Sequence, residues 1–176
     1  MAITLAGTSI AIPYPVEGNE VFWENYLATL DGSGVTLTTG ASAVAQAVTT
    51  GKQFGIFGMG ALAATTFTLP AATGTGLRLM FYVNVLATSN SHIIKTSPST
   101  DIFQGMIMGA RTDSGNAVLG FAGQSNSNTI TLNRTTTGSV NIGEHVEVMD
   151  VASGVWLVRG MLSATGAAFA TPFSHV

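Results

Sequence analysis

The stretch GEHVEVMDVASGVWLVRGML (residues 143–162) decides the fold class of this chain. It reads as two short strands folded back on a tight turn. In the second arm Val155, Trp156, Leu157 and Val158 follow one another without a polar break, so both faces of that strand are apolar. A hairpin at a protein surface ordinarily shows water one of its faces. The second face therefore needs a cover, either a second sheet of the same chain or a neighbouring subunit, and the sequence leaves both open.

Working outward, the same alternation recurs. In LRLMFYVNVL (77–86) Leu77, Leu79, Phe81, Val83 and Val85 form one face, and Arg78, Met80, Tyr82 and Asn84 form another that is only half polar. Further strands are expected at 35–39, 53–57, 65–69, 91–96, 103–110, 117–122, 128–134, 144–151 and 155–162. Clusters of Gly, Asn, Ser and Thr-Gly break them at near-regular spacing, which suggests a sandwich or barrel. No helix-length apolar period separates the strands, so a parallel α/β sheet is not expected. The expected fold is all-β, an antiparallel sandwich or barrel-like domain with at most a short N-terminal helix.

The N-terminal part reads differently. Ile3, Leu5, Ile10 and Ile12 alternate loosely before Pro13 and Pro15, as in a short strand or an extended arm. EGNEVFWENYLATL (17–30) has apolar residues at helical spacing and three acids in its first two turns, where the helix dipole favours them. This divides the chain into an arm and short helix over 1–34 and a β domain over 35–176. Phe22, Trp23 and Tyr26 cluster in the first part. They are candidate anchors for a capsid or subunit contact, as is Trp156 in the second, because large aromatics with a polar end suit interfaces; packing of the short helix on the chain's own sheet is the equal alternative.

Composition narrows the function classes. Only 9% of the 176 residues are charged, against about 25% in typical proteins. Sparse charge with abundant Thr, Ser, Gly and Asn suggests a surface largely occupied by partner subunits. The formal net charge is −3 and the six basic residues are scattered singly, so the electrostatic footprint of a nucleic-acid binder is missing. There are no cysteines, which rules out disulfides and thiolate metal sites. Residues 53–77 are uncharged, but glycines, a proline and repeated Thr break them short of the ~20 apolar residues that a membrane span needs. The N-terminus lacks the basic start of a secretory signal.

No catalytic constellation emerges. His145 and Glu147 share a strand face, as two ligands of a metal edge would, but His92 and His175 lie in unrelated segments. No G-x-S-x-G elbow and no phosphate-binding loop is present. Gly55, Gly58 and Gly60 fit bends in a sheet rather than a dinucleotide fingerprint. Asp101, Asp113 and Asp150 are available for acid–base work, yet nothing in the sequence brings them together. The expectation is a protein that is not an enzyme and needs no cofactor or metal.

Several motif pieces over residues 65–174 carry a resemblance. They are Leu69-Pro70-Ala71-Ala72-Thr73-Gly74, the aromatic-rich strand behind it, and Ser89-Asn90-Ser91 before a β-branched strand. Gly143-x-x-Val146-Glu147-x-x-Asp150 with Trp156 on the returning strand follows, and then Thr171-Pro172-Phe173-Ser174. Together they resemble bacteriophage head decoration (capsid cement) proteins. The resemblance implies a virion part on the outer surface of the capsid that binds the major capsid protein, commonly as a homotrimer, and does no chemistry. Similar hairpins occur in phage tail and fibre proteins, so a tail or fibre component binding a receptor or another tail protein is the alternative. A small hydrolase or a carbohydrate-binding module is a more distant one.

Overall fold

A computed structural model of the chain describes residues 2–5, 8–11, 45–47, 54–60, 65–113, 117–165 and 169–176. These residues are all-β. Strands β1 (Ala2–Leu5) and β2 (Thr8–Ala11) pair antiparallel as a hairpin. The 17–30 helix and the 35–39 strand expected from sequence, and with them Phe22, Trp23 and Tyr26, lie outside the described residues.

Two larger sheets form the body. One is six-stranded and contains β4 (Phe54–Met59), β6 (Arg78–Val83), β8 (Ile102–Arg111), β9 (Val118–Ala122), β11 (His145–Ala152) and β12 (Val155–Ala164). Its spatial order is β4-β6-β11-β12-β8-β9. The other contains β3 (Ala45–Ala47), β5 (Thr66–Thr68), β7 (His92–Lys95), β10 (Thr129–Leu132) and β13 (Phe173–Ser174), in the order β13-β10-β7-β5-β3.

The expected hairpin is the centre of the six-stranded sheet, with β11 and β12 antiparallel and a bulge between Asp150 and Ala152. The antiparallel expectation needs correction, because both sheets are mixed. β4 runs parallel to β6, β12 to β8, β3 to β5, and β5 to β7. Parallel neighbours require a crossover connection. Here the chain supplies it by stepping between sheets: β3, β5 and β7 belong to one sheet and the intervening β4 and β6 to the other. No helix is needed for the crossing.

Alternation then decides what is buried. Leu79, Phe81, Val146, Val148, Trp156, Val158, Phe103 and Ile107 point inward from the larger sheet. Phe67, Ile94, Ile130 and Leu132 meet them from the smaller one. Phe67 and Phe81 touch across the interface with ring centroids 4.9 Å apart. Trp156 is the largest wholly buried side chain, and burying such a ring contributes about 1.5–3 kcal/mol or more. Gly105 lies at φ +128 on β8, where a Cβ would sit 2.0 Å from the Val158 carbonyl oxygen. Only glycine lets β8 approach β12 that closely.

Buried carboxylates fasten the loops at the ends of the sandwich. Asp150 accepts the amides of Thr73, Gly74 and Thr75 at 3.1, 2.6 and 2.9 Å, and the Thr75 hydroxyl at 2.7 Å. Asp101 accepts the neighbouring Ala72 amide at 2.7 Å. Glu144 accepts the amides of Ser139 and Val140 at 2.9 and 2.7 Å, and that of Asn141. The Leu-Pro-Ala-Ala-Thr-Gly motif and the Asp150 of the hairpin are thus two halves of one clamp.

Candidate interaction face

Because Trp156 and Val158 point into the core, Leu157 and Arg159 point the other way, onto the outer face of the six-stranded sheet. Register places Leu157 beside Met149 and Gln104, Arg159 beside Glu147 and Met106, and Met161 beside His145 and Met108. Met80 lies opposite Glu147 on the far side. Five of the seven methionines of the chain therefore share one sheet face. That face is open: Met161 is 59% exposed, Met106 52%, Met108 42%, Leu157 39%, and Val118 at the β9 edge 58%. The smaller sheet covers the inner side of the hairpin, and solvent meets the outer side.

A forked ion pair crosses the middle of this face. Glu147 sits on β11 between β6 and β12, which puts an arginine on each side. Arg78 Nε donates to Glu147 Oε1 at 3.0 Å, and Arg159 Nε donates to Oε2 at 2.9 Å. Burial by itself would raise the Glu147 carboxyl, but the two guanidiniums outweigh it and hold it below the usual carboxylate range. Two arginines against one carboxylate leave the centre of the face positive. A shallow depression of about 260 Å³ lies there, lined by Arg78, Glu147, Val148, Met149, Leu157 and Arg159.

The sequence candidates for chemistry are otherwise engaged. Glu147 is taken by its arginines, so the His145–Glu147 edge has lost its carboxylate. Asp113 is paired with Arg111 at 2.8 Å. Asp101 and Asp150 do come to one loop, but the backbone amides there occupy Asp101 Oδ2 and both oxygens of Asp150. His92 is wholly buried, taking the Thr65 amide on Nδ1 with Nε2 3.3 Å from the Val85 carbonyl oxygen; burial lowers its pKa and favours the neutral ring. Among the described residues no three or more His, Asp or Glu come together as metal ligands. No helix among them is long and apolar enough to cross a membrane.

Trp156, an interface candidate from sequence, is instead a core residue at 0% exposure, and its neighbour Leu157 takes the outward position. The methionine face was not singled out from sequence. Its signal is methionine in the polar phase of alternating strands, at Met80, Met106, Met108, Met149 and Met161. Comparison with protein-family models, curated proteins and solved structures gives no match for this chain.

Proposed function

We propose that this protein is a virion structural protein that decorates a bacteriophage capsid and stabilises it by bridging major capsid protein subunits, acting as a homotrimer on the outer surface. The observation that carries the reading is the open face of the six-stranded sheet with its exposed methionines, on a body whose described carboxylates are committed to loops and ion pairs. Several large apolar side chains exposed together on one face, around a polar centre, are the kind of surface that a partner covers. Methionine suits such a role, because its flexible thioether adapts to a facing surface. The open face is where copies of the chain meet in the trimer, and the motif resemblance over residues 65–174 points to the capsid as the partner of the assembled trimer.

The mechanism is mechanical. Packaged DNA pushes coat subunits apart, and a protein bound to several of them must detach before they separate. Binding to the assembled lattice adds stability by mass action, and a trimer gains avidity from three simultaneous contacts. The test is to add the purified protein to heads that lack it and to follow co-sedimentation and the temperature of DNA release. Saturable binding with a raised release temperature supports the reading. Absence of binding, with immunogold label on the tails of whole virions, replaces it with the tail or fibre alternative.

A further inference from the structure

We propose that the outer face of the six-stranded sheet is covered by the acidic, aromatic stretch 17–31 of a neighbouring copy, which would make the assembly a head-to-tail ring. The proposal rests on the assembly reading above but not on the capsid as partner.

Charge separation along the chain is the first argument. Residues 1–51 hold four acids, Glu17, Glu20, Glu24 and Asp31, and no Lys or Arg. The rest of the chain holds all six basic residues and five acids. The one part that is uniformly negative therefore has a complement in the face where Arg78 and Arg159 share a single carboxylate. Both guanidiniums remain reachable, with side chains 46% and 66% exposed. An incoming carboxylate beside Arg159 would add a third ion pair to the two already made with Glu147, in a setting partly shielded by Met149 and Leu157.

Side-chain chemistry is the second. The acids of 17–31 interleave with Phe22, Trp23 and Tyr26. Aromatic rings on thioethers are a favourable pairing, each contact worth about 0.3–1.5 kcal/mol. The face offers Met106, Met108 and Met161 as exposed thioethers around the arginine fork. A stretch with alternating carboxylates and rings fits a surface with alternating guanidiniums and methionines.

Reach permits the source. The described residues leave the face open, and the assembly reading places its cover on an adjacent copy. Trp23 lies 22 residues before Ala45 of β3, and at about 3.3 Å per residue this lets it reach on the order of 70 Å from the body, enough to meet an adjacent subunit.

The absence of cysteine makes the test direct. Two full-length variants, Trp23→Cys and Met161→Cys, with chains of distinguishable mass, are mixed and mildly oxidised without capsids. The proposal predicts a mixed disulfide between the two variants as the main product. With both substitutions in one chain it predicts ladders of linked chains on a non-reducing gel. A fast-migrating internally linked monomer would overturn it in favour of cover by the same copy. Disulfides between two Met161→Cys chains would overturn it in favour of face-to-face packing, and no disulfide would overturn it outright. Charge reversal gives an independent reading. Arg159→Glu should weaken association at least tenfold, and adding Glu20→Arg with Glu24→Arg should recover most of it; unchanged association in the single variant contradicts the proposal. Loss of capsid binding leaves these outcomes unaffected, so the two readings fail separately.

Discussion

The Asp150 carboxylate accepts three backbone amides and one hydroxyl from residues 73–75, and an amide nitrogen in its place would face those donors with a donor of its own. Asp150→Asn is therefore expected to cost about 2–3 kcal/mol in urea unfolding, the range for losing hydrogen bonds to a charged group. The pH dependence follows from the same contacts. Burial of the Asp150 carboxyl opposes ionisation, but the hydrogen bonds from Thr75, Gly74 and Thr73 outweigh it and depress the pKa. The arginines depress Glu147 likewise. A depressed folded pKa means that the unfolded chain takes up protons first, so this stabilisation is complete above the ordinary carboxylate pKa of about 4 and drains away as pH falls through the folded values. Unfolding midpoints measured from pH 7 down to pH 3 should hold steady and then drop, and Asp150→Asn should show the smaller drop. Trp156 makes a contrasting case. Its indole nitrogen is buried and has no hydrogen-bond partner, so the ring acts by volume. Trp156→Ala should cost about 3–5 kcal/mol, and Trp156→Phe should retain a cooperative fold and cost clearly less; equal loss in the two variants would contradict a packing role.

Between elements, the close contacts are backbone contacts. Gly105→Ala would force a Cβ against the Val158 carbonyl at a left-handed backbone angle, so it should destabilise by about 3 kcal/mol or more by splitting β8 from β12. A thermal midpoint within a few degrees of wild type would refute that account of the parallel pair. The long strands were legible because one face of each is consistently apolar: Leu79, Phe81 and Val83 on β6, Val146 and Val148 on β11. Their direction was not legible, since a two-residue period is the same in parallel and antiparallel sheets. β3 and β13, with three and two residues, are too short to carry any period. At the site, sequence recognised that residues 155–158 are apolar on both sides but assigned the interface to Trp156. A run without polar residues does not say which phase faces in, and the larger ring took the core. The glutamate fork is also invisible in sequence, because Arg78 and Glu147 lie far apart along the chain and meet only through the β6–β11 register.

Over the whole molecule, the account turns on the open sheet face being buried between copies. Leu157 and Met161 point away from the core and are exposed, so replacing residues of this kind should change monomer stability by only about 0.5 kcal/mol. In an assembly they would lie at its centre. Leu157→Lys with Met161→Lys should therefore leave the urea midpoint nearly unchanged and abolish association, because two desolvated charges would have no partners there. Sedimentation velocity on the full-length protein at micromolar concentration compares the two states in one experiment. The account predicts that the wild type sediments at three times the 18.0 kDa chain mass and the double variant at one. A wild-type protein that runs as a stable 18.0 kDa monomer would contradict it.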